Sequence, residues 1–354
     1  MMPYPSVTGP DPQADATLAA LLDALYARHN QAICCTLVYG SCLRSGNIYD
    51  GLLDLYLICD DYRTAYGPGL LAGANWLLPP NVFYAQQSAV AQTAPLTELP
   101  AQLHTERTEQ DTEPHAQRHA GQSAETGGGA QDTNAQTLRA KVTVISLRDF
   151  ERGCSSAWFE SYIWGRFAQP TLILNPRSDL LRKRIERALY QAANTLLHNA
   201  LPVLPQQGSI TSLWERALGL SYATELRTER SGRAAELADA AATFYLQITA
   251  QLASRLGHGF ALSADGQAYA SAPSALATRR AGLAWGLRRG QGKLLSITRL
   301  VKALFTFEGG LDYIAWKLTR HSGQQITIPD NVRRAPLIHL WGFFWGLYRQ
   351  GIFK

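Results

Sequence analysis

Lysine and arginine are missing from the first 27 positions of this 354-residue chain. A secretory leader opens with positive charge and an organellar transit peptide is arginine-rich, so neither is expected here. No uncharged apolar run reaches the roughly 20 residues that a helix needs to cross a bilayer. Cysteine is scarce: Cys34, Cys35, Cys42, Cys59 and Cys154. Their odd number, with no Cys-x-x-Cys and no histidines at metal spacing, excludes a disulfide framework and points to a reducing compartment. Each is expected to act as a small buried hydrophobe. Internal repeats are absent. Charge is sparse at 17%, against 46% hydrophobic residues, so the chain can bury a sizeable core, and its length suits about two domains.

What charge there is lies unevenly. Between Arg279 and Lys354 there are thirteen Lys/Arg and three acids, Glu308, Asp312 and Asp330. Such an excess attracts nucleic acid, phosphorylated substrates or an anionic lipid surface. Here Lys293, Arg299, Lys302, Lys317 and Arg320 alternate with leucines and aromatics. The tail from Pro336 to Arg349 carries Trp341 and Trp345 and ends in positive charge. Tryptophan and cations favour a membrane interface, and a helix packed on the core is the competing reading.

The distribution of apolar residues divides the chain. Residues 1–13, with four prolines, are expected to be disordered. Residues 92–137 are rich in Gln, Thr, Glu and Gly and hold almost no large apolar residues, which predicts a disordered insertion whose flanks pack together without it. Residues 14–91 and 138–177 then form the two parts of one strand-containing domain, with strands at 33–39, 52–59, 141–146 and 171–174 and a helix over 158–169. Helical periodicity dominates 178–330, with stretches at 179–200, 210–226, 233–256, 274–288 and 293–320. Residues 331–354 form the aromatic, basic, membrane-associating tail. The fold class expected is α+β: a nucleotidyltransferase-like mixed sheet with helices, followed by a helical C-terminal domain.

The chemistry concentrates at Tyr39-Gly40-Ser41 and at Asp54. A strand, a tight Gly-Ser turn, a short helix and a second strand carrying an acid suit nucleotidyl transfer. Backbone N–H groups after the turn can hold a triphosphate, and the carboxylate can hold the Mg²⁺ that bridges its oxygens. Gly-Ser is also a common turn dipeptide. An acid within Leu52-Leu53-Asp54-Leu55-Tyr56 is costly unless paired or bound to metal. Metal would explain it, and so would an ion pair with Arg44 or Lys141. Nucleotidyltransferases usually carry a second acid two residues on, where this chain has Tyr56. Asp60, Asp61 or Glu225 could complete the site, although Asp61 reads more simply as a solvated strand end. Lys141, Arg166 and Arg227 are candidate phosphate contacts; a strand-end lysine is often simply solvated, and for each arginine alone a structural ion pair is the commoner role.

With these residues in view, the chain resembles the mitochondrial translocator assembly and maintenance family of phosphatidate cytidylyltransferases. The likeness covers most of the chain outside the insertion. Its pieces are Tyr39-Gly40-Ser41, Leu53-Asp54, the Lys141–Ser146 strand, Trp158 with Tyr162, Gly165, Arg166 and Pro170, then Leu220-Ser221-Tyr222 with Glu225 and Arg227, and the Gly309–Leu318 segment. Glu225 stands where the family has Asp. The polar insertion, the missing transit peptide and the aromatic tail fit a bacterial relative, peripheral on the cytoplasmic face of the inner membrane.

The resemblance implies a Mg²⁺-dependent reaction in which CTP and phosphatidic acid give CDP-diacylglycerol and pyrophosphate, a step toward cardiolipin and phosphatidylglycerol. It implies Asp54 and Lys141 as catalytic residues; Tyr39, Gly40, Ser41, Lys141 and Arg166 around the nucleotide; and Asp54 with Asp60 or Glu225 at the metal. Lys293, Arg299, Lys302, Lys317, Trp341 and Trp345 would meet an anionic membrane surface, with no nucleic acid as partner. Two other readings stand beside it: a nucleotidyltransferase acting on RNA or a soluble small molecule, and an inactive nucleotide- or partner-binding protein.

Overall fold

The computed structural model of the chain describes residues 4–88, 137–225, 232–306 and 325–334, with positions 319, 339, 342, 343, 345, 346 and 349. The first half runs α1 (Ala16–Arg28), β1 (Ile33–Tyr39), α2 (Ser41–Ser45), β2 (Leu53–Cys59), α3 (Tyr62–Tyr66), α4 (Leu70–Leu77), β3 (Asn81–Ser88), β4 (Thr137–Ser146), α5 (Leu147–Gly153), α6 (Trp164–Phe167) and β5 (Leu172–Leu174). The second half adds α7 (Asp179–Ala200), β6 (Gln207–Ser209), α8 (Ile210–Tyr222), α9 (Arg233–Ala240), α10 (Ala242–Leu252), β7 (Ala261–Leu262), β8 (Ala268–Ala270) and α11 (Ala275–Thr306). The protein is a mixed α+β fold.

The central sheet has the order β3-β4-β2-β1-β5. Strands β2 and β4 are parallel and the other neighbours antiparallel. Both of its faces are covered, which is why β1 and β2 read as continuous apolar runs instead of alternating. One face, with Val38, Leu53, Leu55 and Leu57, packs under Leu18, Leu21, Leu22 and Leu25 of α1. The other, with Leu37, Tyr39, Tyr56 and Ile58, packs against α5 to α8 and α10. Residues 89–136 lie outside the described residues. The strands that flank them pair directly, from Asn81 against Val144 to Ser88 against Thr137.

Several sequence expectations change here. Residues 4–13 are not loose: Pro5 is buried, the Tyr4 ring packs edge-on against Phe244 at 5.6 Å, and its hydroxyl donates to Gln169 O at 3.4 Å. The helix expected over 158–169 shrinks to α6, because the preceding turn is tied back, the Trp164 indole donating to Trp158 O at 3.1 Å. The 233–256 stretch breaks at Ala241 into α9 and α10. Conversely, 274–288 and the start of 293–320 join as α11, which runs through Gly290 and Gly292. A Cβ on Gly292 would lie 2.4 Å from Thr224 O, so glycine lets the helix approach this closely. The second half also carries a three-stranded sheet, β6-β8-β7. It shares one hydrophobic core with the central sheet, running from Cys34 to Trp285, so it does not pack as a separate helical body. All five cysteines are buried and free. Among the described residues, no helix is long and apolar enough to cross a membrane.

Candidate active site

Strand β1 ends at Tyr39, opposite Asp54 at the start of β2, and Asp54 lies beside Lys141 of β4. Three neighbouring strands thus bring the turn, the acid and the lysine to one end of the sheet. Asp54 is the one position of β2 that is not fully buried, and its side chain is 24% exposed. The carboxylate therefore opens into a cavity, and its cost inside an apolar strand is relieved by solvent and by Lys141 Nζ at 4.0 Å.

Gly40 faces that carboxylate. Its φ of 92° and ψ of −158° are open to glycine and strained for other residues. A Cβ there would lie 2.5 Å from Asp54 Oδ2, so a second requirement for glycine is space. Ser41, exposed, opens α2, whose Gly40 cap offers no side-chain acceptor to the following N–H groups.

Arg166 forms the opposite wall. It is buried, donates to Tyr39 Oη at 2.9 Å, and pairs with Glu225 at 3.2 Å. Burial works against its charge, but the surrounding tyrosine hydroxyls and Glu225 outweigh this and the net shift is upward. Close packing of α6 on α8 places this pair: a Cβ on Gly165 would fall within 1.8 Å of Ser221 Oγ. The adjacent Ser161 and Thr224 hydroxyls are bonded at 2.7 Å. The two segments Tyr162–Arg166 and Leu220–Glu225 are therefore the two halves of one contact.

Tyr162 extends the wall. Arg166 lies over its ring at 4.4 Å and Arg299 at 4.3 Å. Burial pushes its phenol up, yet the charges of Arg166, Lys141 and Arg299 outweigh that and hold it below the usual tyrosine range. Tyr56, at the usual second-acid position, is fully buried with its ring edge-on to Phe167 at 4.8 Å, so it is core and not a ligand.

The resulting cavity, of about 110 Å³, is lined by Gly40, Ser41, Arg44, Asp54, Arg166 and Glu225, with Tyr39, Gln169, Tyr222 and Leu237 beside them. Gln169 and Leu237 were not visible as site residues in the sequence; nothing in their local spacing marks them. Asp60 is elsewhere. It lies beyond the far end of β2, paired with Arg177 at 2.8 Å on the surface, and cannot share an ion with Asp54. Asp61 caps α3, accepting from the Arg63 and Thr64 N–H groups. Arg227 lies outside the described residues.

The cation-rich helix α11 has two sides. Inward, Arg299 forms a two-bonded ion pair with buried Glu160 and donates to Pro79 O at 3.1 Å. Lys302 donates to Asn75 Oδ1, Leu78 O and Pro80 O at 2.6–2.8 Å, and burial followed by the Arg299 charge pushes its pKa down to about 8. Both were expected at a membrane surface. Three backbone carbonyls and a buried carboxylate beside β3 draw them inward instead. Outward, Leu276, Leu283, Leu287, Leu294 and Ile297 are between 49% and 73% exposed, with exposed Arg279, Arg280, Arg289 and Lys293 around them. Leu70, Trp76 and Leu77 of neighbouring α4 are exposed as well. Trp345 is exposed; Lys317 and Trp341 lie outside the described residues.

A magnesium ion has a partial fit. Among the described residues, no three His, Cys, Asp or Glu side chains converge on one point. Asp54 and Glu225 line the same cavity. Mg²⁺ is usually held by one or two carboxylates plus substrate phosphates and water, so this donor set suits an ion that arrives with a nucleotide. No model of a known protein family matches the chain, and no curated protein matches it.

Proposed function

We propose that the protein is a Mg²⁺-dependent phosphatidate cytidylyltransferase, converting CTP and phosphatidic acid to CDP-diacylglycerol and pyrophosphate. The observation that carries this reading is the Asp54 carboxylate set against the Gly40 turn, with Lys141 beside it and Arg166 across the same cavity. An anion cradle and a carboxylate that share a cavity are what a nucleoside triphosphate with its metal requires.

The chemistry asked of the chain is modest. A phosphatidate oxygen attacks the α-phosphorus of CTP, the bond from that phosphorus to the bridging oxygen breaks, and pyrophosphate leaves with the bond's electrons. A phosphomonoester is already ionised at neutral pH, so no strong base is needed. Catalysis is positioning and charge neutralisation. Gly40 lets the triphosphate approach the backbone, and Ser41 donates its hydroxyl to a phosphate oxygen. Lys141 offsets charge next to Asp54. Arg166, fixed by Tyr39 and Glu225, holds a permanent positive charge in the wall without having to reorganise. Mg²⁺, when bound to Asp54 and the nucleotide, supplies charge stabilisation at the phosphates; Glu225 is the second carboxylate in reach of that cavity.

The outer side of α11 supports a lipid acceptor. Its leucine stripe with basic flanks, and no acid among its 32 residues, matches an anionic bilayer surface in both hydrophobicity and charge. Protein incubated with CTP, Mg²⁺ and phosphatidate vesicles is expected to release CDP-diacylglycerol and pyrophosphate in equal amounts. Transfer to RNA or to a soluble phosphomonoester, with none to vesicles, would replace this reading by another acceptor. Mg²⁺–CTP binding without turnover on any acceptor would replace it by a binding protein.

A further inference from the structure

A second chamber of about 490 Å³ adjoins the Asp54 cavity, sharing Gly40, Arg44, Gln169 and Leu237 with it. Its remaining walls come from the N-terminal segment (Val7, Thr8), from Leu43 of α2, and from Phe244 and Tyr245 of α10. Nothing in the chemistry described so far uses this space. We infer that it receives the nucleoside, base and ribose, of the nucleotide whose phosphates occupy the Asp54 cavity. The inference rests on the proposed nucleotidyl transfer and names where the other half of that substrate goes.

Three observations favour a nucleoside over the acceptor lipid. The first is contiguity. A nucleoside is covalently joined to the α-phosphate, so it must lie next to the cradle, and this chamber meets the cavity at Gly40 itself.

The second is placement. The chamber sits at the β5 edge of the sheet, where Pro170 leads into β5 and Gly9 packs against Leu43 and Leu172. The exposed apolar and basic side of α11 belongs to a helix held by Asn199 of α7 at its middle and by Pro79 and Pro80, before β3, at its C-terminal end, and no residue of α11 lines the chamber. A lipid presented on α11 approaches from that side and leaves the chamber free.

The third is lining. Leu43, Phe244 and Tyr245 supply apolar wall and Arg44, Gln169, Asp239 and Gln247 supply polar groups, a mixture that suits a base and a ribose, and about 490 Å³ lies within the range of ligand pockets. Tyr245 is 1% exposed, its ring stacks on Trp214 at 4.4 Å, and it closes the inner wall of the chamber. Asp239 on the rim suits ribose hydroxyls and repels a second phosphate headgroup.

The test compares two probes by calorimetry on the full-length protein, Mg²⁺–CTP and Mg²⁺–tripolyphosphate. Thr243 is exposed and lines the chamber, so Thr243→Trp fills the space from its rim. We expect this variant to bind CTP at least tenfold more weakly and tripolyphosphate within twofold of wild type. Gln247→Trp, at a second exposed position of the lining, is expected to weaken CTP several-fold and to leave tripolyphosphate unchanged. If Thr243→Trp fails to fold, Gln247→Trp decides. Equal loss for both probes, or no loss for either, overturns the chamber assignment alone. Wild-type protein that binds neither probe overturns the nucleotidyl-transfer reading beneath it.

Discussion

Two acids bracket strand β2, Asp54 near its start and Asp60 just past its end, and the two could hardly be treated more differently. Asp54 meets a glycine turn that has no room for a Cβ, a lysine at 4.0 Å, and a cavity walled by a buried arginine. Asp60 meets Arg177 in solvent, with both side chains about half exposed. The chemistry of a carboxylate is set by what the neighbouring strands bring to it. Strands β1 and β4 bring the Gly40 turn and Lys141 to one end of the sheet, while at the other Arg177, just after β5, makes an ordinary surface pair.

Removing Asp54 should have the largest effect. Asp54→Ala is expected to lower cytidylyl transfer by about three orders of magnitude, as for loss of a central electrostatic group, while circular dichroism stays unchanged. Next come the buried ion pairs that frame the site. Arg166→Leu removes the buried cation from Glu225 and from the Tyr39 hydroxyl, and Arg299→Met strands Glu160, so each should cost about 3–5 kcal/mol in a denaturant melt. Arg166→Leu should also abolish transfer in whatever protein still folds.

Smaller changes sharpen the contrast. Gly40→Ala forces a strained φ and a clash with Asp54, which predicts about 1–3 kcal/mol of lost stability and weakened Mg²⁺–CTP binding by calorimetry. Charge removal on the outer side of α11, Arg289→Gln with Lys293→Gln, should reduce cosedimentation with anionic vesicles roughly tenfold or more, at about 1 kcal/mol per charge, and leave CTP binding alone. Asp60→Ala closes the series, with a stability change under about 0.5 kcal/mol and unchanged transfer.

Much of this arrangement could be read from the sequence, and the reasons are specific. Helix α7 shows its amphipathic period plainly and spans the expected 179–200. The turn at Gly40 and the acid at Asp54 stand out because glycine and aspartate interrupt otherwise apolar runs. Strands β6, β7 and β8, of two or three residues each, are too short to carry a period. The choice between Asp60 and Glu225 depended on contacts, since Glu225 is joined to Arg166 across 59 positions. Arg299 and Lys302 look like the other cations of α11 in sequence; only the buried Glu160 and the carbonyls before β3 separate inward from outward. Arg227, Lys317 and Trp341 lie outside the described residues.

One measurement bears most directly on the account: CDP-diacylglycerol formed from CTP, Mg²⁺ and phosphatidate vesicles by wild type, Asp54→Ala and Asp60→Ala under identical conditions. The account predicts product from wild type and from Asp60→Ala at matching rates, and none above background from Asp54→Ala. Equal product from all three, or loss in Asp60→Ala with retention in Asp54→Ala, would contradict it.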